Sequence, residues 1–264
     1  MPANNLNTLT TDFGTADGYV GSVKGAILSI NPRARIVDLS HGVPSFDIEQ
    51  GAYLLGTSFS LFPRGTVHLA VVDPGVGSAR RPLLVVSKNY FFVAPDNGLL
   101  TLVTERESIR EIYELTEKKF FRPSPSWTFH GRDIFGPVAA HLTRGATPRR
   151  MGRRRASLKR LDLFKTRESS EAVQGLILFI DKFGNAITTI QAPASRPEAW
   201  DSVRLRGKSI PLYRTYSEIP RGKPGALFGS SGFLELAVSE DSFLSRFGAS
   251  KGEEILLKRR VRRA

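Results

Sequence analysis

The sequence predicts an α/β protein in two parts: a mainly parallel sheet covered by helices on both faces, then a smaller antiparallel β-barrel-like domain. Three observations carry that expectation. As far as residue 142, short apolar strands alternate with helical stripes, the pattern of a parallel sheet with crossover helices. A basic stretch after Arg144-Gly145 breaks this rhythm. Beyond it the chain reads as strands and turns, with one short helical segment around Phe243. The boundary is expected near Arg167, giving domains at 1–167 and 168–264, with 149–167 as a basic linker.

Each element has a local reason. Leu6 to Thr11 reads as a strand running into Asp12-Phe13-Gly14. Tyr19, Val23, Ala26, Ile27 and Ile30 fall on one helical stripe, which Asn31-Pro32 stops. Ala34 to Leu39 is a strand, and Ile48 to Leu61 a helix ended by Pro63. Val67 to Val72 is apolar and β-branched, and ends abruptly at Asp73-Pro74-Gly75. Leu83 to Val86 and Tyr90 to Val93 are strands, followed by Pro95-Asp96-Asn97-Gly98 as a turn. Asp133 to Leu142 is a helix. In the second half the strands are Val173 to Ile180, Ala186 to Ile190, Val203 to Leu205, Ala226 to Gly229, Phe233 to Val238 and Glu254 to Leu257.

Composition narrows the function classes. The chain has no cysteine, which excludes disulfides, thiolate metal sites and cysteine nucleophiles. Met1 to Asn7 is polar, and nothing approaches the ~18 consecutive apolar residues of a membrane span. A cytoplasmic protein without membrane attachment is expected. The net charge of +13 raises the question of nucleic acid, so its location matters. Nine Lys/Arg lie between Arg149 and Arg167 against Asp162 alone, and five more lie between Lys258 and Arg263. The remainder carries 24 basic and 24 acidic residues, so it offers no basic groove. A solvated linker and tail explain the charge, and no nucleic-acid partner is expected.

Several familiar motifs fail. Gly75-Val76-Gly77 follows a strand, but the third glycine of a dinucleotide fingerprint would fall on Arg80. Gly207-Lys208-Ser209 lacks the leading glycine of a P-loop, which would be Ser202, and Pro211 follows where a helix should run. The histidines His41, His68, His130 and His141 show no metal-ligand spacing. No metal or cofactor is expected.

Other polar clusters sit where an α/β domain places its site, at the carboxyl ends of strands. They are Thr11-Asp12-Phe13-Gly14, the run Val72-Asp73-Pro74-Gly75-Val76-Gly77-Ser78-Ala79-Arg80, and Phe129-His130-Gly131-Arg132-Asp133. In the second half Asp181-Lys182-Phe183-Gly184-Asn185 ends the strongest strand. Each alone has a structural explanation, such as a tight turn at Asp73 or an Asx-type cap at Asp12.

Together, and in this order, the clusters resemble the S-adenosylmethionine hydroxide adenosyltransferases, the hydrolase relatives of the fluorinases and chlorinases. The resemblance runs from Thr11-Asp12-Phe13-Gly14 to Gly232-Phe233-Leu234-Glu235-Leu236-Ala237. It implies hydrolysis of S-adenosyl-L-methionine, the substrate rather than a cofactor, to adenosine and methionine. Asp73, Arg80 and His130 match the family's water-holding trio, which the halogenating relatives lack. Asp12 matches the ribose-diol carboxylate, while Phe46 and Phe129 match aromatic walls around the ribose and sulfonium. Asp181, Phe183 and Asn185 match the motif for the methionine end and one side of the adenine. Tyr216 is the candidate second adenine-stacking ring, and Val238 would serve through its backbone. Ser231 stands where halogenases carry an arginine. Family members of this kind are trimers, with each site shared between the N-terminal domain of one subunit and the C-terminal domain of its neighbour. The rivals are a halogenase on the same fold, a non-catalytic binder of the same substrate, and a nucleic-acid-binding protein.

Overall fold

The computed structural model describes residues 2–260 other than 163, 165 and 193–199. Of the basic residues noted above, Lys165, Arg262 and Arg263 lie outside the described residues. The chain divides into two compact units, Met1–Leu161 and Asp162–Ala264.

The first unit is built on a seven-stranded sheet. Its strands are β1 (Leu6–Thr11), β2 (Arg35–Ser40), β3 (Val67–Val71), β4 (Pro82–Ser87), β5 (Phe91–Pro95), β6 (Ile109–Leu115) and β7 (Gly152–Arg155), in the order β2-β1-β3-β5-β4-β6-β7. The block β2-β1-β3-β5 is parallel, and β4, β6 and β7 extend it antiparallel. Helices α1 (Tyr19–Ile30) and α4 (Gly136–Thr143) contribute to one apolar cluster, through Val23, Ile27, Val138 and Leu142 against Leu9, Leu69 and Val93. Helices α2 (Ile48–Ser58) and α3 (Thr101–Arg106) contribute Leu55 and Val103 to a second cluster with Ala70, Val72 and Phe92. Both faces of the sheet are therefore covered.

Register decides where the polar clusters meet. Thr11 pairs with Val71, so β1 and β3 end side by side and Asp12 lies across from the segment leading to Asp73. A bulge between Leu9 and Thr10 pairs Thr10 with Ser40, which brings His41 alongside Thr11. Helix α2 starts where Asp47 accepts the Gln50 N–H, and it tightens at Ser58 into a single 3₁₀ turn, Phe59–Leu61, with Phe59 fully buried.

Three elements of this unit are absent from the sequence expectation: α3, β6 and β7. Strand β7 lies within the basic stretch and is the sheet edge, with Arg155 salt-bridged at 2.5 Å to Glu114 on β6. Gly152 is required there, since a Cβ would stand 1.8 Å from the Glu114 carbonyl oxygen. Tyr19 also departs from expectation. It lies on the apolar stripe by spacing, but as the first residue of α1 it is half exposed, with its ring against Phe13 and Phe129.

His68 on β3 is fully buried among Phe59, Tyr90 and Phe92, with Nδ1 2.7 Å from the Thr8 hydroxyl. Burial pushes its pKa down to about 3, so it is a neutral core residue.

The second unit is an antiparallel, nearly closed barrel. After the short β8 (Arg167–Glu168), which pairs with β9, come β9 (Ala172–Ile180), β10 (Ala186–Gln191), β11 (Trp200–Leu205), β12 (Lys208–Pro211), β13 (Pro224–Phe228), β14 (Phe233–Val238) and β15 (Glu254–Arg259). Their order is β12-β11-β15-β9-β10-β14-β13, and a bridge between Leu212 and Ala226 links its two ends. The Gly207-Lys208 segment is the β11–β12 turn, with positive φ at both Arg206 and Gly207 as a tight hairpin demands. Helix α5 (Phe243–Phe247) seats Phe243 in the barrel core with Trp200 and Leu257. The start of the basic tail belongs to β15: Arg259 lies over the Trp200 ring at 4.6 Å and pairs with Glu168. Among the described residues no helix is long and apolar enough to cross a membrane.

Candidate active site

The parallel strands of the first unit end in a cleft of about 400 Å³, lined by Asp12, Phe13, Asp17, Tyr19, Ser45, Phe46, Val71, Asp73, Val76, Thr128, Phe129, His130 and Gly131. Five residues singled out in the sequence thus share one site: Asp12, Phe46, Asp73, Phe129 and His130. Arg80 stands behind them rather than on the wall.

The loop after β3 returns Arg80 to Asp73. Val76 N–H donates to the Asp73 carbonyl, Ser78 N–H to that of Gly75, and Arg80 N–H to the Ser78 hydroxyl. Gly77 has a positive φ of 78°, and a Cβ there would lie 2.6 Å from the Trp127 carbonyl oxygen. Only glycine lets this loop approach the segment carrying His130 so closely. Asn97, in the turn after β5, donates from Nδ2 to the Val72 carbonyl at 2.7 Å and secures the loop's other end.

The guanidinium of Arg80 then joins the trio. Nε donates to Asp73 Oδ1 and Oδ2 at 2.9 and 3.0 Å, and Nη2 to Oδ2 at 2.5 Å. Nη2 is also 2.7 Å from His130 Nδ1. The two charged side chains are 9% and 5% exposed, and Arg80 lies over the fully buried Phe135 ring at 5.2 Å. Arginine only donates, so the lone pair of His130 faces it at Nδ1 and neutral His130 carries its proton on Nε2. Burial, and next the positive charge of Arg80, hold the His130 pKa below its ordinary value.

His130 enters the site on an unusual helix start. Residues Gly131–Phe135 form a π-helical turn, in which Gly136 N–H reaches back to the Gly131 carbonyl, before α4 begins. The preceding loop is held by Asp133, which accepts from Ser126 N–H at 2.9 Å and Arg132 Nε at 2.7 Å. Burial acts to raise the Asp133 pKa, but the Arg132 and Ser126 bonds bring it down to about 2.

The opposite wall is aromatic and acidic. Phe13, Tyr19 and Phe129 pack with centroids 5.3 to 5.9 Å apart, Phe129 edge-on to the other two rings. Phe46 is 68% exposed and has a positive φ of 69°, a strained setting for a bulky residue. Its N–H donates to Asp12 Oδ2 at 2.9 Å, and Oδ1 has no protein donor among the described hydrogen bonds.

The second unit gathers the other predicted residues around the β9–β10 hairpin. Asp181 Oδ1 accepts from the N–H groups of Phe183 and Asn185, and Oδ2 accepts from Asn185 Nδ2 at 3.0 Å. That closes a tight turn and leaves Phe183 68% exposed. The Tyr216 hydroxyl donates to Glu235 of β14. Burial raises the Glu235 pKa, the Tyr216 bond opposes that, and the nearby charge of Asp181 adds to it. Val238 ends β14, paired with Pro224, and Ser231 lies in the β13–β14 connection.

Sequence reasoning missed Phe13, Asp17, Tyr19 and Ser45 as cleft residues, and Asn97 and Glu235 as supports. Phe13 was within reach, inside a quoted cluster; Asn97 is indistinguishable from an ordinary turn residue. Among the described residues no three His, Asp or Glu side chains converge as a metal site needs.

Known proteins give the same picture. A protein from Thermus thermophilus named (R)-S-adenosyl-L-methionine hydrolase is 40% identical over 258 residues, covering 94% of this chain and 97% of its own. A fluorinase from Actinoplanes is 29% identical over 275 residues, covering 90% and 92%. The crystal structure of an uncharacterized conserved protein from Thermotoga maritima superposes with a TM-score of 0.88 at 36% identity, covering 96% of this chain and 99% of that one. The N-terminal domain of the SAM hydroxide adenosyltransferases matches residues 8–152 and their C-terminal domain residues 175–256. With both domains matched in order, and with the cleft at the strand ends of the first, the chain belongs to the SAM hydroxide adenosyltransferase family.

Proposed function

We propose that the protein hydrolyses S-adenosyl-L-methionine to adenosine and L-methionine by attack of water on the 5′ carbon. The observation that carries this reading is the buried Arg80 bridge between Asp73 and His130 beside an aromatic cleft. A sulfonium leaves as a neutral thioether, so no acid is needed at the leaving group. The demand falls on the nucleophile, which must be held in line and stripped of other partners. His130 Nε2–H donates to that water's oxygen, and Asp73 accepts one of its protons. The C5′–O bond forms as the C5′–S bond breaks, the electron pair goes to sulfur, and one proton is released through Asp73. Arg80 is no base; it orients both partners and favours hydroxide character. A carboxylate at this position repels halide, which disfavours halogenation.

Asp12 grips the ribose diol, while Phe46 and Phe129 enclose the ribose and the sulfonium cation. Asp181, Phe183 and Asn185 hold the methionine end and one adenine face, with Tyr216 on the other and Ser231 and Val238 completing the contacts. No metal or cofactor takes part. The relative's name extends the reading to the (R) sulfonium epimer. The test is incubation of purified protein with each epimer, in halide-free and chloride-containing buffer. Adenosine and methionine in equal amounts, independent of chloride and faster from the (R) form, are expected. A 5′-halogenated nucleoside, or tight binding without turnover, overturns the reading.

The acid limb of the kcat/KM profile is expected below pH 6.5, because His130 works neutral and its pKa in the free enzyme lies below the ordinary value. Activity is complete above that value and is lost as pH falls through it. An inflection above 6.5 that vanishes in His130→Gln would contradict the assignment.

The reading includes a homotrimer with sites shared between subunits, as the family resemblance implies. Mixing Asp73→Ala with Asp181→Ala subunits, each inactive alone, is expected to restore a sizeable fraction of activity. No recovery in verified mixed trimers would show that each site lies within one subunit. A cytoplasmic location completes the reading, in keeping with a cysteine-free chain, and cell fractionation checks it.

A further inference from the structure

Beneath the cleft, two polar side chains are buried without lining it: Thr11, 1% exposed, and His41, 7% exposed. Thr11 Oγ1 accepts the Phe13 N–H at 3.2 Å and is 2.8 Å from His41 Nδ1. With the His41 proton on Nε2, the hydroxyl donates its single hydrogen to Nδ1. Asp38 Oδ1 lies 3.1 Å from Nε2, and Lys24 Nζ meets the other Asp38 oxygen at 2.6 Å. The His41 backbone acts as well, since its carbonyl accepts the Gly14 N–H at 2.9 Å.

His41 therefore holds the chain on both sides of Asp12 and Phe13, by side chain before and by backbone after. Thr11 closes a turn over Asp12 by taking the Phe13 N–H. On its far side Asp12 itself holds the Phe46 N–H. The backbone that carries Asp12 is thus held by His41 through Thr11, with Asp38 beside the far ring nitrogen of His41.

We propose that His41, acting through Thr11, is a positioning residue that aims Asp12 at the ribose diol and so sets substrate affinity. This rests on the reading of Asp12 as the diol ligand. The diol lies away from the bond that breaks, so on this proposal its contact with Asp12 is uniform binding, and misaiming Asp12 raises KM with kcat in place.

Steady-state kinetics of Thr11→Val, Thr11→Ser, His41→Asn and Asp12→Ala test the proposal, with melting temperatures alongside. Thr11→Val keeps the shape and removes only the hydroxyl, a smaller change to the core than His41→Asn. Thr11→Val and His41→Asn are expected to raise KM about ten-fold with kcat within about two-fold, and Thr11→Ser to retain the wild-type KM. A raised KM in Asp12→Ala, with neither Thr11→Val nor His41→Asn following it, overturns the positioning role and leaves the diol reading intact. An unchanged KM in Asp12→Ala removes the diol reading itself. Loss of melting temperature and apparent kcat together, at constant KM, would make the network structural only and overturn the proposal.

Discussion

Asp73→Ala is expected to cut turnover by about two to four decades, the range for a positioned acid–base group. The physical reason is local. Water in the cleft finds one carboxylate that is both buried and held by a fixed guanidinium, and without it nothing on that wall accepts the proton. The shape-conserving Asp73→Asn separates charge from packing and should lose nearly as much, because an amide accepts a hydrogen bond but takes no proton. Single-turnover assays on folded protein check this. A folded Asp73→Ala that turns over at the wild-type rate would sink the assignment and leave the ion pair as a mere stiffener of the loop.

Arg80→Ala is expected to lower both turnover, by a similar two to four decades, and stability, by about 3–5 kcal/mol. Removing the guanidinium leaves Asp73 buried without a partner, uncovers the Phe135 ring and takes away the donor to His130. Arg80→Lys should recover little, since three donor contacts in a planar fork become one point charge. At roughly 2–4 °C per kcal/mol, the first unit should melt about 6–20 °C earlier. Thermal unfolding of the variants checks it, and a melting temperature unchanged within 2 °C would show that Asp73 is not buried against Arg80 in solution.

The fold was legible wherever periodicity was clean. α1 and β14 lie where a helical stripe or alternation places them, because one face of each is apolar. Strand β6 was not, since Ile-Arg-Glu-Ile-Tyr-Glu-Leu mixes charge into both faces. Strand β7 is three arginines after a glycine, and its partners are Glu114 and Tyr113, dozens of residues away. Its pairing is a tertiary fact that no local propensity encodes.

The site divides in the same way. Asp73 and Arg80 are seven residues apart on one loop, so their meeting is a local matter of turns. His130 reaches them only through the Gly77–Trp127 approach, across fifty residues from Arg80. Tyr19 shows the opposite failure: its spacing is that of the buried stripe, yet its half-exposed ring packs on Phe13 and Phe129 and lines the cleft. The Thr11–His41 contact left no sequence signal, since it depends on a bulge that realigns two parallel strands.

The π-helical turn at Gly131–Phe135 has an effect on the bookkeeping of descent. It amounts to one residue inserted into a helix, and one residue of α-helix is 100° of rotation. Deleting it would leave Asp73, Arg80 and His130 all in place by name while swinging His130 around the axis and away from the guanidinium. In this chain the phase of His130 is written in chain length as well as in residue identity. A homologue with every functional residue intact but one position fewer here would be a sound fold with its histidine turned aside.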